Sequence, residues 1–483
     1  MSNSKKDSQK VGRYKYLAGN IALFSIGNFV SKILVFLLVP LYTGVLTQEE
    51  YGIADILQVT LLLLVPALTQ NIAEAALRFG IDRSDRRRSI LKIGLKYVGI
   101  ADVIVAVLAV AANLLPLNAE YGRYILMFAV LYAANSLYEF LIMYFQGAEK
   151  VPVVVVGSIS STSIMIVSNL IFLLVLRTGL FGYVFSQVCA FLLACVIMLF
   201  LGNRNIDKTE EADDDIEKEM LEYSRPMLLY STAAWINNAS DRYIVAWLCG
   251  AAVNGLYGVA YKIPAILSVF QRVFAQAWQM SATKTYKDEN SSEFFSGMYR
   301  FYNSFMVLGC SVLILFVRLI AMLLFKKGFY EAWKFVPPLL ISVIFGALTG
   351  FLGSICLAHK DSKSMGIATG IGAAFNVILN IISIPYLGAM GAAWATAVSY
   401  FIMCALAYRF TSKHVEIVRE LKKYYLSYIM LTVQAVVMIA GDKFFAPVVT
   451  YVICTIIMIL IFAVYFEDVK TIVKRLWKES FGK

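Results

Sequence analysis

The chain has 483 residues, of which 60% are hydrophobic and 16% are charged, with a formal net charge of +11. Soluble domains carry about 25% charged residues, so this composition excludes an ordinary soluble protein and indicates a polytopic membrane protein. The positive charge is attributed to membrane orientation and anionic lipid headgroups, and nucleic acid is not expected as a partner. The seven cysteines lack metal-ligand spacing, so neither a metal site nor a disulfide framework is expected.

The predicted elements begin with a polar and basic segment, residues 1–16. It is interpreted as a cytoplasmic tail, because no short apolar region with a cleavage site follows it. The apolar segments after it predict an all-α polytopic fold with about 14 transmembrane helices. The predicted spans are 17–42, 51–77, 89–115, 121–146, 151–176, 180–201, 225–249, 255–282, 299–324, 334–357, 364–385, 389–410, 424–440 and 447–466.

The distribution of basic residues predicts the orientation of these spans. With the N-terminus inside, the inner segments hold 31 of the 43 Lys and Arg residues, and the outer loops hold six. Short cytoplasmic loops of membrane proteins carry such an excess of positive charge. Both termini are therefore predicted to be cytoplasmic.

A weak internal repeat divides the predicted spans into two blocks. Residues 179–186 (GLFGYVFS) resemble residues 388–395 (GAMGAAWA) at an offset of 209, and three further similarities keep the same order. Two pseudo-symmetric six-helix lobes plus two C-terminal helices are therefore expected, as in transporters whose site lies between repeats. The predicted domains are an N-terminal lobe (1–201), an acidic cytoplasmic linker interpreted as solvated (202–224), a C-terminal lobe (225–410), and helices 13 and 14 with a basic cytoplasmic tail (411–483).

Polar and charged side chains inside the apolar spans indicate a candidate site, because a charge at membrane depth is costly unless it is paired or hydrated. The clearest group is residues 237–243 (NNASDRY), which place Asp241 and Arg242 within the seventh span. The other members are predicted in spans 1, 2, 4 and 8. Lys32, Arg78, Arg242, Lys262 and Arg272 are predicted to bind substrate, and Asn28, Asp55, Glu74, Glu139 and Asp241 are predicted to line or gate a cavity.

The cationic residues in this set favour an anionic transport substrate, since Arg and Lys bind phosphate oxygens directly. A drug-cation exporter would be expected to rely on carboxylates and aromatic rings instead. A packing role stays open for each residue. Asp241 and Arg242 could form a buried pair that only fixes helix packing, and Arg78 could extend its charge from a helix end to the membrane interface.

Sequence motifs typical of enzymes are absent, since the chain contains no GxSxG, Walker or HExxH motif. No large loop outside the cytoplasm is predicted that could hold a glycosyltransferase or polymerase site. A transporter is therefore favoured over an enzyme, with no catalytic residue and no cofactor. The coupling ion, H+ or Na+, stays open.

Four motifs together resemble the bacterial polysaccharide (O-antigen-type) flippases of the multidrug/oligosaccharidyl-lipid/polysaccharide (MOP) exporter superfamily. Residues 46–52 (LTQEEYG) look like that family's first outer loop, and residues 76–79 (ALRF) look like the exit of its second span. Residues 240–243 (SDRY) and 255–262 (GLYGVAYK) resemble its seventh and eighth spans. The resemblance covers nearly the whole chain.

This resemblance implies two six-helix lobes around a cavity that opens alternately to each side of the plasma (inner) membrane. It implies that an undecaprenyl-pyrophosphate-linked oligosaccharide passes from the inner to the outer leaflet for cell-surface polysaccharide biosynthesis. Implied partners are this substrate, membrane lipids and other polysaccharide-assembly membrane proteins. A lipid II flippase and a cation-coupled small-molecule or drug exporter of the same superfamily stay open as alternatives.

Overall fold

The computed structural model describes residues 36–114, 122–202, 214–286, 291–415 and 418–481, and nearly all of these residues are helical. In this part of the chain, eleven helices are long and apolar enough to cross a membrane, and a bent pair raises the number to twelve. The predicted all-α polytopic membrane fold is therefore confirmed. The count of fourteen spans stays a prediction, because most of the first predicted span precedes residue 36.

Contacts between Cα atoms divide the chain into two compact units, Met1–Trp235 and Ile236–Lys483. The boundary falls inside a continuous helix, α8, which the sequence had placed wholly beyond the acidic linker. In chain order, the described helices of the first unit are α1 (Val39–Val45), α2 (Gln48–Leu68), α3 (Ile72–Asp82), α4 (Arg87–Leu114), α5 (Gly122–Gly147), α6 (Val151–Asn169), α7 (Gly179–Gly202) and the first part of α8 (Asp214–Cys249).

The first unit is held together by apolar side chains and by one close helix crossing. Ile72 and Ala76 of α3 pack with Phe140 and Tyr144 of α5 in a buried cluster. At Gly147, an added Cβ would lie 2.6 Å from the carbonyl oxygen of Leu77. Glycine at this position therefore lets α3 and α5 approach each other closely.

A helix break interrupts the second predicted span, which the sequence presented as one continuous helix over residues 51–77. The structure ends α2 at Leu68 and begins α3 at Ile72. Between them, Gln70 (φ 51°) and Asn71 (φ 56°) have left-handed backbone conformations. Such conformations cost about 1–2 kcal/mol for residues other than glycine. Two hydrogen bonds connect the break to α8. Gln70 accepts one from Arg225 (3.0 Å), and Asn71 donates the other to Ser231 (3.4 Å).

We expect Asn71→Ala to be less stable than Asn71→Gly by about 1 kcal/mol. Both variants remove the same amide group, but only glycine adopts a positive φ without steric cost. The comparison of their thermal unfolding midpoints in detergent measures the difference. Equal midpoints, or a lower midpoint for the glycine variant, would show that the backbone at residue 71 is not strained.

The acidic segment before the seventh span is partly a docked helix, which corrects its interpretation as a solvated linker. From Asp214 onward the chain is helical, and Ile216 and Met220 are buried in the same cluster as α3 and α5. The Glu217 carboxylate accepts hydrogen bonds from Lys96 (2.8 Å) and Tyr97 (2.8 Å). These contacts, with Lys96 as the largest contributor, lower the pKa of Glu217. Their stabilising effect is therefore present at neutral pH and is lost as the pH falls through the lowered pKa.

The second unit contains the rest of α8 and a helix pair with a sharp bend. The axis turns by 51° between Ala251–Ala260 and Pro264–Ala275. Pro264 stands at the start of the second helix, where its missing N–H ends the hydrogen-bonding pattern of the first. The described helices of the second unit that follow α8 are α9 (Ala251–Ala260), α10 (Pro264–Thr285), α11 (Ser291–Leu315), α12 (Val317–Leu324), α13 (Val336–Ala358), α14 (Ser362–Leu387), α15 (Ala389–Thr411), α16 (Val418–Ala440) and α17 (Pro447–Phe481).

Buried polar side chains attach the last two helices to the second unit. Tyr428 of α16 donates a hydrogen bond to Asn303 of α11 (2.8 Å), and Asn303 donates to Tyr465 of α17 (2.9 Å). Ser311 of α11 similarly donates to Gln434 of α16 (2.8 Å). Because buried polar groups need partners, these contacts specify how α16 and α17 pack on α11.

Candidate functional site

The candidate site of the second unit is built around Asp241, two turns before the end of α8. Its side chain is only 2% exposed. The Oδ2 atom accepts hydrogen bonds from the hydroxyl groups of Tyr257 (2.6 Å) and Tyr261 (2.6 Å). The Oδ1 atom accepts one from the backbone N–H of Arg242 (2.9 Å). These contacts stabilise a carboxylate that has been removed from water.

Two tyrosines reach Asp241 because of the spacing and ending of α9. Tyr257 and Tyr261 are four residues apart, so they lie on one side of the helix. Tyr261 follows the last residue of α9, directly before the bend that Pro264 imposes. The bend therefore fixes where the second hydroxyl meets the carboxylate.

Helices α14 and α15 add amide and hydroxyl groups to the same cluster. Thr396 of α15 lies 3.4 Å from Asp241 Oδ2 and accepts a hydrogen bond from Asn376 of α14 (3.3 Å). Asn380, one turn further along α14, donates to the Asn376 side-chain oxygen (3.0 Å). The Oδ1 atom of Asn380 is buried and has no hydrogen-bond partner within the described residues.

A cation lies beside this carboxylate. The Arg242 guanidinium is 4.4 Å from the centre of the Tyr261 ring, a distance at which a cation and an aromatic face attract each other. Lys262 follows Tyr261 in the bend, and its side chain is partly exposed. Of the predicted substrate-binding residues, Arg242 thus lies beside Asp241, and Lys262 directly follows the tyrosine that contacts both.

The cluster contains oxygen atoms of several kinds around one carboxylate. Carboxylate, amide and hydroxyl oxygens are ligands that small hard cations prefer. The partnerless oxygen of Asn380 shows that the cluster has spare acceptor capacity. A proton on Asp241 would likewise cancel the buried charge. The residues therefore fit either H+ or Na+.

The two remaining predicted cations of the described chain lie on exposed surfaces. Arg272 of α10 is exposed. Arg78 of α3 is exposed and forms an ion pair with Asp82 (3.0 Å) one helical turn later. An exposed pair of this kind contributes little to stability. The structure does not bring Arg272 into the Asp241 cluster.

The predicted carboxylates of the first unit occupy three different environments. Asp55 is buried in α2 (8% exposed), and Glu74 lies partly exposed in the first turn of α3. Glu139 is exposed on α5. Asn28 and Lys32 lie outside the described residues, so their predicted roles stay predictions.

Sequence reasoning missed Thr396 and Tyr400, which lie four residues apart on α15. Thr396 contacts Asp241, and Tyr400 donates a hydrogen bond to Asn238 (2.9 Å). Both stand in an apolar segment with no charged neighbour, so no local pattern marks them. The four-residue spacing of Thr396 and Tyr400, matched by Asn376 and Asn380 on α14, is the only signal that indicates one polar face.

Comparison with known proteins identifies a family whose sequence model matches this chain. The model for the family described as polysaccharide biosynthesis protein matches residues 17–279, which is more than half of the chain. An uncharacterized membrane protein of Methanocaldococcus jannaschii is 23% identical over 262 residues, covering 51% of this chain. The matched region spans 62% of that relative's length, which is less than two thirds.

Solved structures share the fold. A lipid II flippase, MurJ, in an inward closed conformation has a TM-score of 0.69 at 17% identity, covering 94% of this chain and 99% of its own. An inward-facing multidrug resistance MATE transporter of the MOP superfamily has a TM-score of 0.63 at 13% identity, covering 82% of this chain and 96% of its own. At these identities the similarity shows a common fold. The family match, which covers more than half of the sequence, shows that the chain belongs to the polysaccharide biosynthesis protein family.

Proposed function

We propose that this protein moves an undecaprenyl-pyrophosphate-linked oligosaccharide from the inner to the outer leaflet by alternating access, for cell-surface polysaccharide biosynthesis. The observation that carries the proposal is that a buried carboxylate, Asp241, and the adjacent cation Arg242 both contact Tyr261 in the second unit. The family to which the chain belongs supports the polysaccharide part of the proposal.

The cationic side chains supply the contacts that a pyrophosphate needs. Arg242 and Lys262 lie at the same end of α9, where a planar guanidinium and an ammonium can bind phosphate oxygens. The aromatic face of Tyr261 orients the guanidinium. In the proposed mechanism, Arg242 and Lys262 make the first contacts with the pyrophosphate, and the predicted contacts Lys32, Arg78 and Arg272 serve it at other stages of transport.

We further propose that the Asp241 cluster binds the coupling ion, H+ or Na+. When such an ion is bound it neutralises the carboxylate charge. Asp241 then no longer needs both tyrosine hydroxyl groups, and Tyr261 can reorient together with the guanidinium above its ring. Ion binding would in this way change the position of Arg242 and the affinity of the site for phosphate.

The proposed setting is the plasma (inner) membrane, with both termini in the cytoplasm. The excess of Lys and Arg in the predicted inner segments supports this orientation. The proposed partners are the lipid-linked oligosaccharide, membrane lipids and other membrane proteins of polysaccharide assembly. The protein is proposed to act as a transporter and not as an enzyme.

Two related functions compete with this proposal. One is transport of lipid II, because one of the similar structures is a lipid II flippase. The cations beside Asp241 would serve both substrates equally well. A cation exporter fits less well, because Arg242 would repel a cationic drug.

A deletion strain separates these functions. We expect undecaprenyl-linked polysaccharide repeat units to accumulate on the inner leaflet, while lipid II turnover and drug sensitivity stay unchanged. The measurement is mass spectrometry of extracted lipids, combined with protection of the glycan from an enzyme added outside spheroplasts. Accumulation of lipid II instead would assign the alternative substrate.

A further inference from the structure

The first unit contains two polar side chains that the proposed pyrophosphate site does not use. Asn135 and Glu139 lie four residues apart on α5, so they share one face of the helix. Asn135 is 8% exposed, and its Oδ1 atom has no hydrogen-bond partner within the described residues. Glu139 is exposed, and its carboxylate forms no hydrogen bond or ion pair in the part of the chain that the structure describes.

Glu139 does not share the lipid-exposed face of α5. Leu126 and Val130 are 44% and 54% exposed, and they mark the apolar face. Glu139 comes nine residues after Val130, which at about 100° per residue places it on the opposite side of the helix. A carboxylate facing hydrocarbon would be costly. The exposed Glu139 therefore lies on the side of α5 opposite its apolar face.

The broken second span crosses this same region of α5. At one end, the Tyr132 hydroxyl donates a hydrogen bond to the Leu64 carbonyl of α2 (3.3 Å). At the other end, α3 packs closely on α5 at Gly147. Asn135 and Glu139 lie between these two contacts, at the stretch of α5 that follows Tyr132.

We propose that Asn135 and Glu139 form a subsite for a neutral sugar residue of the lipid-linked oligosaccharide, an inference that rests on the function proposed above. A carboxylate repels a pyrophosphate but accepts hydrogen bonds from neighbouring sugar hydroxyls. The buried amide of Asn135 both donates and accepts, which matches a hydroxyl group. A sugar would also satisfy the buried Asn135 oxygen, whose lack of a partner is otherwise unfavourable.

The experiment compares two lipids on the full-length purified protein. The probes are undecaprenyl pyrophosphate without sugar and the same lipid carrying the repeat unit isolated from the host strain. We expect Glu139→Gln and Asn135→Leu each to weaken binding of the sugar-bearing lipid by about 10- to 100-fold, because each removes hydrogen bonds to the glycan. Binding of the lipid without sugar should not change. Glu149→Gln, a surface variant in the turn after α5, should leave both affinities unchanged.

Three outcomes would overturn the inference. Equal binding of the sugar-bearing lipid by wild type and both variants would show that α5 does not contact the glycan. Unchanged binding together with a flattened pH dependence of transport in Glu139→Gln would instead make Glu139 a proton-coupling residue. Failure of the folded wild-type protein to bind either lipid would overturn the proposed function itself. Thermal midpoints of all variants confirm that a lost affinity does not reflect unfolding.

Discussion

Asp241→Asn is expected to lower the rate of transport at least 100-fold while the protein remains folded. The amide oxygen can still accept hydrogen bonds from Tyr257 and Tyr261, which lie 2.6 Å from the native carboxylate. The variant has neither a titratable group nor a negative charge, so an ion can no longer change the state of the cluster. The initial rate of lipid-linked oligosaccharide flipping in proteoliposomes is the measurement.

Two comparison variants distinguish this effect from simple damage to packing. Glu293→Gln in the first turn of α11 changes a carboxylate away from the cluster, so its transport should equal that of wild type. Asp241→Ala removes the acceptor that the hydroxyl groups of Tyr257 and Tyr261 share. Because these hydroxyls lie 3.2 Å apart, one can donate to the other, but the second is left without an acceptor. The variant should therefore also lower stability, by about 1–3 kcal/mol. Full activity of Asp241→Asn, with wild-type ion dependence, would reduce Asp241 to a packing residue.

Arg242→Ala is expected to abolish transport, and Arg242→Lys is expected to restore only part of it. Lysine keeps the charge but loses the planar group, which lies over the Tyr261 ring. A guanidinium can bind two phosphate oxygens at once, and an ammonium cannot. The loss should therefore appear mainly as weaker binding of the pyrophosphate lipid. Titration of each purified variant with undecaprenyl pyrophosphate measures it directly.

The matched control for Arg242 is Arg409→Ala, which removes an exposed arginine from the last turn of α15. We expect this control to insert, fold and bind the lipid as wild type does. Wild-type transport by Arg242→Ala at normal expression would contradict a phosphate-binding role. The alternative that sequence reasoning left open, a buried pair that only fixes packing, would then be favoured.

The general fold was predictable because apolar segments of bilayer length are an unambiguous signal. The broken second span was not predictable. Pro66 lies inside α2 without ending it, and no glycine accompanies the left-handed backbone at Gln70 and Asn71. Their left-handed backbone is set by tertiary contacts with Arg225 and Ser231, which the local sequence does not reveal. The packing of the acidic helix was not predictable for a similar reason, since this segment contains more charged residues than buried apolar residues.

The charged residues of the candidate site were predictable from the sequence, and its uncharged residues were not. Asp241 and Arg242 were identified because charges are rare at membrane depth. Thr396 escaped notice, because its contact with Asp241 depends on how α15 packs against α8. For Arg78 the sequence left open a position at a helix end, and the structure shows it at the surface in an ion pair with Asp82, whereas Arg242 adjoins a buried polar cluster.

The most direct test of the central claim is flipping of a defined substrate by the purified protein. The lipid-linked repeat unit from the host strain is placed in proteoliposomes, and its glycan is probed with a glycosidase added outside. We predict that the protein makes the inner pool accessible much faster than protein-free liposomes do, and that Asp241→Asn and Arg242→Ala remove this acceleration. A folded wild-type protein that leaves the inner pool protected would contradict the claim that this chain flips lipid-linked oligosaccharides.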